Sequence, residues 1–307
     1  MGTRIVVVGA NGNLGKLCAD RLRHRPNCEV VEFARAEMDL ERSDSIREAL
    51  RAVGQFDVLI NCAAWTNVDA CEVDPAKANQ INGLAVGVMG EMAVSVRARV
   101  VQVSTDYVFD GKKETPYRED DATGPLGAYG ASKLLGEEAL LATSPAHLVM
   151  RVSWLFGAGG GGFPLWIIQQ ALKSDALSIV ADKWGSPTGA PGAVAALEFF
   201  SFSGREATGV VHFSNSGETS WLGWAQYTLD QAREAGLPLK TTQLTATTME
   251  NLAAKAGWKA LRPVHSALSC ERYTSLTGKA PRPWQEAIAE YVRLGVVPSL
   301  RGQTSPA

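Results

Sequence analysis

Tyr129 stands four residues before Lys133, so the two side chains share one face if that segment is helical. An ammonium held near a phenol favours the phenolate and lowers the tyrosine pKa towards the range where proton transfer is useful. Upstream, Val100-Val-Gln-Val103 reads as a buried strand that runs into Ser104-Thr105-Asp106-Tyr107. Thr105 then sits at a strand's carboxyl end, where open α/β sheets bind ligands. One hydroxyl, one phenol and one ammonium converging there suit a carbonyl that accepts a hydride. A solvated helix face presents the same Tyr-x-x-x-Lys spacing, and the elements around it decide between the two readings.

Those elements start with Arg4 to Val8, a β-branched run entering Gly9-Ala-Asn11-Gly12-Asn13-Leu14-Gly15. Leu14, Leu17, Cys18 and Leu22 then follow at helical spacing. In a strand–turn–helix of this kind Gly9 permits the tight turn and Gly12 lets the backbone approach a pyrophosphate. Gly15 lets the helix lie close to the sheet, with its first N–H groups facing the phosphates. The spacing is G-x-x-G-x-x-G, not the G-x-G-x-x-G of many dehydrogenases. Arg35 lies 20 residues after Gly15, where an acidic residue accepts the ribose hydroxyls of NAD. An arginine there either pairs with the 2′-phosphate of NADP or lies solvated in a loop. Asp39 and Leu40 follow, then a helix from about Ser45 to Val53 with Ser45 and Glu48 spaced as a capping box.

Phe56 to Ile60 is the next buried strand, and Asn61-Cys62-Ala63-Ala64 ends it with small side chains that leave room for a flat ring. Asp74-Pro75 marks a helix entry, and an Ala- and Gly-rich helical segment continues to Val96. Strands alternating with helices predict an α/β fold, a Rossmann-type doubly wound parallel sheet. The charges between Asp110 and Gly127 read as a solvated loop. A helix follows from Tyr129 through Leu141, then a strand over Leu148–Ser153 with Trp154 at its end. Gly157 to Gly162 is either a connector or a flap over the site. Beyond it helices are expected at 166–172, 193–200 and 221–235, a strand at 209–213, and a fraying tail from Arg301.

The chain has 307 residues, long for a single core, and divides into a dinucleotide-binding domain over 1–154 and a smaller C-terminal substrate-binding domain over 155–307. A formal charge of −2 gives no field for gathering nucleic acid or anionic membrane. No apolar run approaches the roughly 20 residues that span a bilayer. The first apolar run is too short for a signal peptide. Cysteines 18, 28, 62, 71 and 270 form no C-x-x-C pair and fit reduced thiols in the cytoplasm. None of the four histidines has metal-ligand spacing, and no metal is expected.

Taken together the residues resemble an extended short-chain dehydrogenase/reductase, more narrowly the dTDP-4-dehydrorhamnose reductase family. The matching stretches are Gly9 to Gly15, Asn61-Cys-Ala-Ala-Trp-Thr-Asn-Val-Asp69, Ser104-Thr-Asp-Tyr-Val-Phe-Asp-Gly111 and Tyr129-Gly-Ala-Ser-Lys-Leu-Leu-Gly-Glu137. Arg151-Val-Ser-Trp154, Gly185-Ser-Pro-Thr188, Ser216 to Trp221, Arg262-Pro263 and Pro283-Trp284 extend the likeness along nearly the whole chain. The resemblance implies reduction of the 4-keto group of a dTDP-6-deoxyhexulose, with NADPH as cofactor and NADH as a possible substitute. It implies that Thr105 hydrogen-bonds the carbonyl oxygen and Tyr129 donates the proton. Lys133 lowers the Tyr129 pKa and holds the nicotinamide ribose, and Asp106, Tyr107 and Trp154 contact the nucleotide-sugar substrate. It also implies that about 185–213 returns to the cofactor domain. A homodimer is the one protein partner expected.

Three departures stand out. Gly127 replaces the Asn usual before the tyrosine, the 159–162 glycines are unusual, and Lys16-Leu17 replace a metal-binding Glu of some members. A dehydratase of the superfamily would need Glu where Tyr107 stands. Two alternatives remain: a reductase of another nucleotide-activated 4-keto sugar, and a non-catalytic regulatory subunit like that of methionine adenosyltransferase.

Overall fold

The computed structural model describes residues 2–157, 162–203 and 206–302. Most of the glycine-rich 157–162 stretch and the end of the tail lie outside the described residues. Strand β1 (Thr3–Val8) carries four consecutive buried residues, Ile5 to Val8, so both of its faces need cover. Its alternation divides them. Ile5 and Val7 pack with Leu14, Cys18 and Leu22 of helix α1 (Asn13–Arg23) and with the Ala190–Phe202 helix. Val6 and Val8 pack with Ile46 and Leu50 of α2 (Ser43–Val53) and with the Ala85–Ser95 helix. A layer of helices on each side of a sheet is the result.

That sheet has six strands: β1, β2 (Cys28–Phe33), β3 (Val58–Asn61), β4 (Arg99–Thr105), β5 (Leu148–Val152) and β6 (Gly209–His212). Their order is β6-β5-β4-β3-β1-β2 and every pairing is parallel. The chain leaves β1 towards β2 and returns on the other side to β3, so the topological switch point falls at the carboxyl ends of β1 and β3. A third apolar cluster lies in the C-terminal part, where Ile167, Ile168, Trp224, Leu229 and Ile288 pack together. The 190–202 helix and β6 pack with the sheet instead: Glu198 accepts from Arg21 of α1 at 2.5 Å and from Arg25, just after it, at 2.9 Å.

The helix entry at Asp74-Pro75 is as expected, with the Asp74 carboxylate accepting from Lys77 N and Pro75 in the first turn. Two local expectations are corrected. Helix α2 begins at Ser43, and Ser45 is no cap, because its hydroxyl accepts from Asp39 N at 3.0 Å instead. The 110–127 stretch is not all solvated: Tyr117 is buried, stacked on Phe109 with ring centroids 4.1 Å apart, because Phe109 and Leu268 give its ring an apolar seat.

The Ala128–Thr143 helix is set against the end of β4 by its glycines. A Cβ on Gly130 would lie 2.1 Å from the Tyr107 carbonyl oxygen, well inside contact distance. Gly130→Ala therefore has to push this helix away from the 105–107 turn. The expected outcome in denaturant unfolding is a loss on the order of 1–3 kcal/mol, the usual cost of overpacking.

Candidate active site

Two cavities open along the carboxyl edge of the sheet. The first, about 400 Å³, is lined by Gly9, Asn11, Gly12, Arg35, Asp39, Leu40, Cys62, Ala63 and Ala64 among others. Its floor is made by close backbone approach: Gly9 has φ +81°, and a Cβ there would lie 2.8 Å from Ala63 N. A Cβ on Gly15 would lie 2.2 Å from Gly9 O, so only glycine lets α1 start here. Helix α1 begins at Asn13 after Gly12, which offers no side chain to cap it, and its first N–H groups are left for an anion. This glycine cradle fits the pyrophosphate of a dinucleotide. Asn13 and Gly15 form its backbone without lining the cavity, and Leu14 faces the second cavity.

Arg35 lies at the rim, largely exposed, with Nη2 donating to Glu41 at 2.6 Å. Lys77 Nζ meets the same carboxylate at 2.9 Å, so two cations flank this end of the cavity. Neither Lys77 nor Glu41 was legible as part of this end of the site. They reach it through the helix entered at Asp74 and the turn after Asp39.

The second cavity, about 300 Å³, shares Cys62 and Ala64 with the first, so the two lie side by side. Thr105, Asp106, Tyr107, Tyr129, Lys133 and Trp154 all line it. Thr105 ends β4, Trp154 follows β5, and Tyr129 and Lys133 ride the first turns of the 128–143 helix. The Thr105 hydroxyl donates to Asp106 Oδ1 at 3.1 Å and accepts from Tyr107 N at 3.2 Å. Tyr107 stands edge-on to Tyr129 with centroids 5.7 Å apart.

The electrostatics differ from the sequence expectation at one point. Burial pushes the Tyr129 phenol above its ordinary value, the Asp106 charge adds to this, and the Thr105 hydroxyl only partly offsets it. Lys133 is not among the groups that shift it; its Nζ donates to Val103 O at 2.8 Å and is itself brought by burial to about 8. The site thus rests with its phenol protonated. Trp154 also has an unusual backbone, φ +45°, and among the described residues its buried Nε1 has no hydrogen-bond partner. A buried unpaired donor beside a cavity is the kind of group a polar ligand satisfies.

A clasp ties Asp69 to the 259–262 segment. Asp69 Oδ1 accepts from Lys259 N and Ala260 N at 2.9 and 3.0 Å, and Oδ2 accepts from Arg262 Nη2 at 2.7 Å. Burial opposes ionisation of Asp69, yet Arg262 and the two N–H groups outweigh it and bring the carboxyl to about 2.

Comparison with known proteins identifies relatives of the whole chain. The family model "RmlD substrate binding domain" matches residues 3–295. The chain is 36% identical to a dTDP-4-dehydrorhamnose reductase of Burkholderia thailandensis over 299 residues, covering 94% of this chain and 98% of the relative. The chain belongs to this reductase family. The spore coat polysaccharide biosynthesis protein SpsK of Bacillus subtilis is also similar, 37% identical over 95% of this chain and 97% of its own. A crystal structure of the Bacillus anthracis dTDP-4-dehydrorhamnose reductase in complex with NADP superposes with a TM-score of 0.85 at 28% identity, covering 95% of this chain and 99% of that one.

In a reductase of this family the pair of rim cations makes a specific prediction. Arg35→Ala should weaken NADPH binding by about 1–2 kcal/mol, roughly 5–30-fold, the range of a charge-assisted bond at an exposed site. NADH binding should stay unchanged. Titration of both cofactors against both proteins checks this, and an unaltered NADPH-to-NADH ratio removes Arg35 as the discriminator.

Proposed function

We propose that this chain reduces the 4-keto group of dTDP-4-dehydro-L-rhamnose to give dTDP-L-rhamnose, using NADPH. The observation that carries the reading is the convergence of Thr105, Tyr129 and Lys133 on one cavity that adjoins the glycine cradle through Cys62 and Ala64. The nucleotide sugar fills the second cavity, with Tyr107 and Trp154 against it. The five cysteines, all unpaired, suit a reducing compartment, and we place the reaction in the cytoplasm. Residues 1–154 together with about 185–213 act as the cofactor-binding unit and the rest as the substrate-binding unit.

NADPH, when bound, supplies the hydride that adds to C4. This chain supplies the rest. Adding a hydride to a ketone builds negative charge on its oxygen, and groups fixed in advance around that oxygen stabilise the charge. Tyr129 is suited to give a proton to it, because burial keeps the phenol protonated until the oxygen becomes strongly basic. Thr105 holds its hydroxyl oxygen beside Tyr129 and turns its proton to the same oxygen as the charge grows. Lys133, on the same helix face as Tyr129, brings a positive charge into the cleft where negative charge develops. The proton moves from Tyr129 to the C4 oxygen and the product is an alcohol.

A non-catalytic cofactor-binding subunit would keep the glycine cradle without needing a buried phenol and hydroxyl side by side, and this disfavours it.

Tyr129→Phe removes one hydroxyl and leaves the ring to pack against Tyr107. General acid catalysis contributes about 10²–10⁴-fold, so kcat should fall by that factor with NADPH affinity nearly unchanged. Lys133→Ala should lower kcat and weaken NADPH together, and the double variant should be far from additive. Folded Tyr129→Phe protein turning over at the wild-type rate would remove Tyr129 from the chemistry.

A further inference from the structure

Lys183 lines neither cavity and is fully buried behind the second one. A charge taken out of water needs a compensating partner, so its surroundings have to account for it. Nζ donates to Pro263 O at 2.6 Å and lies over two aromatic rings, 5.2 Å from the centroid of Tyr107 and 5.7 Å from that of Trp221. The opposite charge acting on it is Asp106, itself buried. Asp106 holds two hydroxyls, accepting from Ser266 at 2.6 Å on Oδ2 and from Thr105 at 3.1 Å on Oδ1.

Asp106 is a liability for the chemistry proposed above. It is next to Thr105 in the chain and its negative charge bears on both Tyr107 and Tyr129. An uncompensated carboxylate there would repel the charge that grows on the ketone oxygen, oppose formation of the phenolate and retain the Thr105 proton. Two groups draw on that carboxylate, the Ser266 hydroxyl by a hydrogen bond and the Lys183 charge through space, from its seat over the neighbouring Tyr107 ring. The Thr105 bond is the longer of the two hydroxyl contacts, which leaves this hydroxyl free to turn towards the cleft.

We propose that Lys183 is a positioning residue for the reduction: its buried charge offsets Asp106, so that Thr105 and Tyr129 face the developing oxyanion with no net negative charge behind them. This rests on reading the site as one that reduces a ketone. The other titratable groups facing the pair are Tyr107 and Tyr129 from the site, Arg262 from the 259–262 loop with Asp69 opposite it, and Cys71 towards Tyr129.

The test compares the full-length wild type with Lys183→Met, Lys183→Gln and Lys183→Met/Asp106→Asn, measuring Tm, NADPH affinity, kcat and KM from pH 5.5 to 8.5. The two substitutions at 183 should leave NADPH affinity within about twofold and lower kcat at neutral pH by about 10–100-fold, somewhat less than loss of a direct oxyanion donor. Acidification should restore part of that loss in both, because protonating Asp106 removes the stranded charge; the wild type should show no such gain. The Asp106→Asn change, made in the Lys183→Met background, should recover most of the lost kcat, since removing both charges leaves neither unpaired. Wild-type kcat in a folded Lys183→Met protein, or a double variant worse than the single one, overturns the proposal. So does failure of both single variants to fold, which would assign Lys183 to the fold alone. Wild-type turnover is measured first, so an inactive wild type shows instead that the ketone-reducing reading has failed, and this proposal with it.

Discussion

A parallel sheet buried on both faces leaves its strands one place to meet a ligand, the edge where their carboxyl ends emerge. Everything proposed for this chain follows from that constraint. β1 runs into Gly9, β3 ends in Asn61 before its small neighbours, β4 in Thr105, and β5 just before Trp154. These ends are brought to one cleft because β1, β3, β4 and β5 are adjacent in the sheet. The helices then need to come close, and glycines at 15 and 130 allow it where any Cβ would strike a backbone oxygen. Packing in the two core layers thus determines where a hydroxyl, a phenol and an ammonium stand relative to a phosphate cradle.

Burial at that edge also decides protonation. Removing the phenol of Tyr129 from water raises its pKa, while removing the ammonium of Lys133 lowers its own to about 8. Both shifts disfavour charge, and they leave a proton on the phenol at neutral pH. For a reduction this is the useful resting state, since the acid has to hold its proton until the ketone oxygen demands it. The same burial explains why Asp106 requires support from Ser266 and Lys183.

The residues that sequence placed well are those whose meaning is local. Gly9, Gly12 and Gly15 sit between a strand and a helix, and Tyr129 and Lys133 are one helical turn apart, so periodicity and spacing carried them. Ser45 was misread because a capping box is only one use of a hydroxyl, and Asp39 competed for it. Ser266, Lys183 and the Asp69–Arg262 clasp had no local signal. Asp106 meets Ser266 across 160 residues and Asp69 meets Arg262 across 193, and only the tertiary fold brings such pairs together. Spacing likewise shows that Lys133 is near Tyr129, but not how deeply the phenol is buried, and burial is the largest influence on it.

The central claim is that the cleft performs hydride addition to a 4-keto sugar nucleotide, and isotope transfer tests it most directly. The purified chain would be incubated with dTDP-4-dehydro-L-rhamnose and NADPH carrying deuterium at the transferable C4 position, and the product examined by NMR and mass spectrometry. The account predicts one NADPH oxidised per sugar reduced, with the deuterium at C4 of dTDP-L-rhamnose. A folded chain that binds both NADPH and the nucleotide sugar yet transfers no deuterium would contradict it.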